Sequence, residues 1–335
     1  MTAIQARVTR GGQTECVHDV HAVVVGPEAG AEHRFGAPAH ATFWRSSMKP
    51  FQAMPLVADG AAARFGFPDE DLALCCASHH GTVEHVGRVT HMLNRLGLDS
   101  EALTCGPHRP FDEDAALALE CAARRPGRLH NNCSGKHAGM LALSLHHGWS
   151  IEGYEKYDHP VQKRIRLELR EWIDGDPEEL VWALDGCGVP TPCLELREMA
   201  RAFARLARAR NGAASTIVSA MTAHPHLISG VRAFSARLMK ASEGRLLAKE
   251  GAEGVFCVSG LEPGWGVALK VADGATRAVA PAMMAVLERL ELLLPSEVEA
   301  LEDLRRPLLT NTHDDDVGDI EVVMMERDDW SSRGP

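Results

Sequence analysis

The sequence predicts a chain of the α/β (α+β) class, in which a mainly antiparallel sheet formed from both chain ends is flanked by helices and a helical lobe fills the middle. Three observations predict it. Residues 3–25 carry the β-branched, alternating runs ARVTRG and HAVVV with a Gly-Gly turn in the first part, the pattern of antiparallel strands. From about residue 69 to 240, apolar residues recur mainly at helical spacing. After Lys249 the pattern returns to strands in GVFCVSG and WGVALKVAD, split by the turn residues Glu262, Pro263 and Gly264, with VGDIEVV as one more near the C-terminus. Strands at both ends with helices between them join most simply in one sheet. The chain therefore reads as a single domain, 1–335, with a sheet part over about 1–68 and 241–325 and a helical lobe over about 69–240.

The elements follow in order. ATFWR reads as a strand leading into a helix that contains Ser46, and Pro50 fits that helix only in its first turn, where no N–H is needed. TVEHVGRVTHMLNRLGL places Val83, Val86, Met92, Leu93 and Leu96 near one stripe. DHPVQKRIRLELREWID has Asp158 as N-cap and Pro160 in the first turn. In TPCLELREMARAFARLARARN, Thr191 and Pro192 are expected to start a helix whose Leu196, Met199, Phe203 and Leu206 face the core. MMAVLERLELLL is expected to cover one sheet face, and the acidic last 25 residues to be partly frayed.

Composition narrows the function. A chain of 335 residues with 45% hydrophobic content can bury a substantial core. Its net charge of −11 and the lack of a basic patch argue against a nucleic-acid or anionic-membrane surface and point to a small-molecule partner. The stretch MTAIQARVTRGGQTECV has no apolar h-region, and nothing approaches the roughly 18 apolar residues of a membrane span. Nine cysteines without framework spacing fit free thiols in a reducing compartment, so a cytoplasmic location is expected.

Chemistry concentrates in five segments. Ser46 and Lys49 form an S-x-x-K pair, which on a helix puts the amine within reach of a hydroxyl one turn earlier. A serine so placed becomes a nucleophile only if burial or nearby cations lower the lysine pKa. ASHHGT offers a second serine, Ser78, at an expected helix start. HNNCSGKHAGM packs amides, Cys133, Lys136 and His137 into a turn before an apolar helix, DGCGVPTPCLEL holds Asp185 and Cys187 between glycines, and KEGAEGVFCV puts Lys249 just ahead of a strand. Singly, each is an ordinary connector or cap. Together they place two serines, three lysines, an arginine, a histidine and an aspartate at element ends, where sites are usually built.

Other motifs fail on spacing. His80-x-x-x-Glu84-His85 is one residue too long for the inverted zinc-protease signature. SGKH lacks the P-loop glycine, where His130 stands, and the hydroxyl after the lysine, where His137 stands. No G-x-G-x-x-G opens a helix after a strand.

Together, RSSMKPFQA, ASHHGT, HNNCSGKHAGM, DGCGVPTPCLEL and KEGAEGV resemble, in order and over about residues 40 to 275, the signature blocks of the rhizobial-type (class 3) L-asparaginases, the asparaginase II family. The resemblance implies a fold related to serine β-lactamases and serine-dependent glutaminases. It implies two Ser–Lys tandems, Ser46 with Lys49 as nucleophile and base, and Ser78 with Lys249 as proton relay. It further implies a zinc ion on Cys133, Lys136 and Cys187, substrate contacts from Arg45, His137 and Asp185, hydrolysis of L-asparagine to aspartate and ammonia, and a homodimer. In that setting Arg45 suits the substrate carboxylate and Asp185 its ammonium. Four cations in one cleft, Arg45, Lys49, Lys136 and Lys249, would depress one another's pKa values, as a neutral lysine base requires. The alternatives are another S-x-x-K hydrolase (glutaminase, β-lactamase-like amidase or esterase) and a non-catalytic zinc or amino-acid binding protein.

Overall fold

The computed structural model describes residues 2–28 and 30–326. Its strands are β1 (Ala3–Arg10), β2 (Gln13–Val25), β3 (Glu32–Phe35), β4 (Ala41–Phe43), β5 (Val181–Leu184), β6 (Pro190–Glu195), β7 (Leu246–Glu250), β8 (Val255–Gly260), β9 (Trp265–Val271), β10 (Leu308–Thr310) and β11 (Asp316–Met325). The chain divides into two compact units, one of Met1–Thr42, Leu194–Arg208 and Ala241–Pro335, the other of Phe43–Cys193 and Ala209–Lys240.

The first unit is built on an antiparallel sheet with strand order β10-β11-β1-β2-β9-β8-β7, and β3 pairs with β2 off this path. Both chain ends meet in it, since Ala3 opposes Met325 and Val8 opposes Ile320. Strand β1 alternates, with Ile4, Ala6 and Val8 buried, whereas every residue of β8 and β9 is buried. A strand buried on both faces needs cover on both, which is why GVFCVSG and WGVALKV read as continuous apolar runs. The cover includes the helix Leu196–Arg208, which packs on β2, β8 and β9, and the helix Val279–Arg289, which packs on β1, β8, β9 and β11.

The Leu196–Arg208 helix buries Leu196, Met199, Phe203 and Leu206 and turns Arg197, Glu198, Arg201 and Arg205 away from the core. Each large side chain so buried contributes about 1.5–3 kcal/mol. Its alanines allow close approach. A Cβ on Gly266 would lie 2.3 Å from the Ala200 carbonyl oxygen and the Ala204 nitrogen, and the Ser259 hydroxyl donates to the Phe203 carbonyl at 2.7 Å. The helix thus belongs with the sheet, although its sequence falls inside the stretch 69–240 expected to form the helical lobe.

The second unit is mostly helical, with Lys49–Ala58, Asp69–Cys75, Val83–Arg95, Glu113–Cys121, Ser134–His147, Pro160–Leu169 and Gly212–Ala223 as its longer helices. Ser134–His147 is central. Its residues from Ser134 to Ser144 are all buried, and it packs on Lys49–Ala58 and Asp69–Cys75. Val89, Met92, Leu93 and Leu96 form the buried stripe of Val83–Arg95, but Val83 is 86% exposed because it is the first helical residue and points outward beside the Thr82 cap.

Several boundaries differ from expectation. Thr191 and Pro192 lie in β6, paired with β5, and the helix begins at Leu196; a β-branched residue and a proline without an N–H favour the extended chain there. The N-cap before Pro160 is His159, whose Nδ1 accepts the Val161 N–H, and not Asp158. The run after Phe43 turns into a 3-10 helix at Arg45, and Lys249, ahead of β8 as expected, itself lies in a strand, β7. The tail expected to fray is paired as β11 through Met325, and its last residues, 327–335, lie outside the described residues.

Gly266→Ala is expected to destabilise the protein by about 3 kcal/mol, since both neighbours of the new methyl are backbone atoms that cannot rotate away. Urea unfolding followed by far-UV circular dichroism measures this. A loss under about 0.5 kcal/mol would place the helix farther from β9 than described.

Candidate active site

The Ser46 region is anchored by its neighbours. Trp44, Met48 and Phe51 are buried, Trp44 and Phe51 pack with ring centroids 4.9 Å apart, and the Ser47 hydroxyl donates to the Trp44 carbonyl at 2.7 Å. Arg45 has φ of 54°, a left-handed conformation that is strained for a residue with a side chain. Its N–H donates to Thr191 Oγ1 at 3.0 Å, which holds the turn. Ser46 follows in the 3-10 turn Arg45–Met48, and Lys49 opens the α-helix Lys49–Ala58 with Pro50 in its first turn.

The Lys49 side chain is fully buried. Its amine donates to the Ala77 carbonyl at 2.5 Å and to Ser78 Oγ at 3.0 Å, so the structure brings Lys49 to the second serine. No side chain among the described residues hydrogen-bonds the Ser46 hydroxyl, which leaves it open to an incoming group. Ser78 itself does not start a helix. It lies in an irregular segment strapped on both sides: Ser78 N–H to the Ile228 carbonyl, His79 N–H to Asn132 and His80 N–H to Ser229. The straps hold the hydroxyl in place.

His79 completes that strapping and was not singled out from the sequence, although it adjoins Ser78. Its Nδ1 accepts the Gly81 N–H at 3.1 Å, so Nε2 carries the proton and donates to Ser134 Oγ at 2.8 Å, which donates on to the Leu129 carbonyl. Burial keeps this ring neutral, pushing its pKa well below the usual histidine value, and His85, stacked on it at 5.0 Å, is lowered to about 4 mainly by burial.

Cys133, Lys136 and Cys187 converge. Cys133 caps the Ser134–His147 helix and Lys136 sits in its first turn; a Cβ on Gly135 would lie 2.3 Å from the Leu74 carbonyl oxygen, so glycine there lets the helix seat deeply. Cys187 comes from the loop between β5 and β6, closed by the Gly188 N–H to the Asp185 carbonyl. The Lys136 amine donates to Cys187 Sγ at 3.0 Å. Cys133 also hydrogen-bonds Cys187, which pushes the Cys133 thiol up to about 12, with burial adding to the effect. The same bond lowers Cys187 well below the thiol range, against burial and with help from Lys136. Burial opposes the Lys136 charge, yet Cys187, Cys133 and Asp185 raise its pKa, so a thiolate faces an ammonium.

Arg45 and Asp185, expected to take opposite ends of a zwitterion, also bind each other, Nε to Oδ1 at 2.7 Å. Oδ1 accepts the Gly186 N–H as well. Burial would raise the Asp185 pKa, but Lys136 and Arg45 outweigh it and hold the carboxylate ionised. The terminal guanidinium nitrogens and Oδ2 have no partner among the described residues. His137 is buried with Nδ1 2.7 Å from the Tyr154 hydroxyl, a pairing with no motif in the sequence to betray it. Lys249, in the first unit, is buried on β7 with its amine 2.9 Å from Glu250 Oε1.

Among the described residues, no group of three or more His, Cys, Asp or Glu side chains is placed to hold a metal ion. Two sulfurs and an amine at Cys133, Cys187 and Lys136 nevertheless fit a borderline-soft cation such as Zn²⁺, provided Cys133 and Lys136 give up their protons. No described helix is long and apolar enough to cross a membrane.

A family model described as L-asparaginase II matches residues 6–322. No curated protein matches in sequence. Among solved structures, a β-lactamase from Mycobacterium bovis is similar at 18% identity over 81% of this chain and 94% of that chain, with a TM-score of 0.41. A proposed β-lactamase from Bacteroides dorei is similar at 10% identity over 86% and 93%, with a TM-score of 0.37. These likenesses are loose and fix neither activity nor assembly.

The buried rings of His79 and His85 give the protein an acid sensitivity. Both are neutral when folded and have lowered pKa values, so the unfolded chain binds more protons once pH falls below about 6.5. Stability from these rings is complete above that pH and falls towards pH 4 by up to about 1.4 kcal/mol per pH unit for each. Urea midpoints are expected to drop between pH 7 and pH 5, less steeply in His85→Gln; equal midpoints would show that the rings are not held neutral.

Proposed function

The chain belongs to the L-asparaginase II family and is an asparaginase-type hydrolase, and we propose that it hydrolyses L-asparagine to L-aspartate and ammonia by serine catalysis. The observation that carries this reading is the buried Lys49 amine, hydrogen-bonded to Ser78 and one turn after Ser46. It is bonded to one serine and stands three residues along the chain from the other.

Ser46 is assigned as nucleophile. Its Oγ attacks the side-chain amide carbon as Lys49 takes the hydroxyl proton, which forms the C–O bond and opens the carbonyl to an oxyanion. Collapse breaks the C–N bond, and the nitrogen leaves as ammonia with a proton returned through Lys49 and Ser78. Water then cleaves the acyl-serine to aspartate and restores the hydroxyl. Lys249 is assigned to the same relay on the family resemblance alone. The free guanidinium nitrogens of Arg45 suit the substrate α-carboxylate and Asp185 Oδ2 its α-ammonium, with the Arg45–Asp185 bond holding both groups in register. His137 is the third assigned substrate contact.

Zn²⁺ held by Cys133, Lys136 and Cys187 would add a fixed positive charge and Lewis acidity beside these groups. The assigned setting is a cytoplasmic homodimer.

Ammonia release from the folded, metal-loaded protein is expected with asparagine and to a smaller extent with glutamine, which needs room for one more methylene. No turnover of either would sink the asparaginase reading. Ser46→Ala is expected to lower kcat at least about 1,000-fold with an unchanged circular dichroism spectrum. Near-native activity in that variant would move the nucleophile to Ser78. For the metal, Cys133→Ala is expected to reduce zinc per chain, measured by plasma mass spectrometry, from near one to under about 0.1, with little change in melting temperature. Equal zinc in variant and wild type would refute the ligand set.

A further inference from the structure

The two ring nitrogens of His137 are not equivalent. Nδ1 lies 2.7 Å from the Tyr154 hydroxyl, and that hydroxyl accepts the Thr104 backbone N–H at 2.9 Å. Tyr154 is itself fully buried, and of the two groups near its hydroxyl that could take its proton, His137 Nδ1 at 2.7 Å and the Thr104 hydroxyl, the imidazole nitrogen is the stronger acceptor. Thr104 Oγ1, at 3.4 Å from Nδ1, is too far to compete. The phenol therefore donates to Nδ1. Were Nδ1 protonated instead, the phenol oxygen would have to take a second donor beside the Thr104 N–H, and a phenol oxygen is a weak acceptor.

With Nδ1 accepting, the ring proton sits on Nε2. That nitrogen is out of water and has no partner among the described residues. Buried donors are seldom left unmet in folded proteins, so the missing acceptor arrives with a ligand. Besides burial, the groups acting on the ring are Lys136, Cys133, Lys49 and Glu155, and the first three place it among the groups of the candidate active site. An N–H left without an acceptor near two lysines calls for an oxygen that carries negative or partial negative charge.

We propose that Tyr154, backed by the Thr104 amide, is a positioning residue that locks His137 in its Nε2–H form, so that the ring donates to a carboxamide or carboxylate oxygen of the bound substrate. The substrate half of this statement rests on the amidohydrolase reading, whereas the tautomer half stands apart from it.

Long-range ¹H–¹⁵N correlation spectra of histidine-labelled protein test the two halves separately, with the His137 signals assigned by their loss in His137→Gln. The wild-type ring is expected to show protonated Nε2 and unprotonated Nδ1, and Tyr154→Phe to shift the Nδ1 resonance. A protonated Nδ1 in the wild type, or an unchanged spectrum in Tyr154→Phe, overturns the proposal whether or not asparagine is turned over. In the kinetic arm, Tyr154→Phe is expected to raise KM about tenfold with kcat within about twofold, as loss of one oriented hydrogen bond to bound substrate should. In the His137→Gln background, adding Tyr154→Phe is expected to change KM by less than about twofold, because the glutamine amide needs no tautomer lock. A full tenfold effect in that background would mean that Tyr154 acts through packing and would overturn its positioning role.

Discussion

A lysine amine with no access to water dictates much of the second unit. Removing an amine from solvent costs several kcal/mol unless its hydrogens are met, and the Lys49 amine meets two groups on one neighbouring segment, the Ala77 carbonyl and the Ser78 hydroxyl. That segment must therefore be held still. It is held by backbone bonds to Ile228, Asn132 and Ser229, and by the His79 ring, which reaches Ser134 at the start of the central helix. The helix that begins there carries Lys136 and His137, so Ser78, Lys136 and His137 share one support.

Charge is arranged to the same end. Cys187 is a thiolate because Cys133 donates to it and Lys136 faces it, and the same lysine helps Arg45 keep Asp185 ionised. Each of these two anions faces a cation. The left-handed Arg45 residue belongs to this arrangement, since its N–H to Thr191 fixes the turn from which the guanidinium reaches Asp185. Strain of about 1–3 kcal/mol at such a residue persists only where its surroundings over-determine it, as the buried Trp44 and the Thr191 hydroxyl do here.

The sheet and the main helices were legible because their signal is periodic. The β-branched runs of β1 and β2, the apolar β8 and β9 and the amphipathic Leu196–Arg208 helix each state their burial in the residue pattern. The hairpin of β5 and β6 was not legible, since VWAL is short and PTPCLE carries two prolines, and its register depends on pairing between strands rather than on local preference. At the site, the five motif segments name the reactive side chains but not their partners. That Lys49 reaches Ser78, that Arg45 and Asp185 bind each other, and that Tyr154 and Thr104 stand behind His137 are contacts between residues up to 140 positions apart, as for Arg45 and Asp185. Spacing along the chain carries no record of them.

The pairing of β1 with β11 sets the order of assembly at the ribosome. Ala3 cannot meet Met325 until the last strand has been made, and at about 5–20 residues per second that interval is tens of seconds. Through it the far edge of β1 stays unpaired, although β3 and then β9 can already join β2. That edge is therefore where nascent chains can pair with one another during synthesis, until β11 covers it.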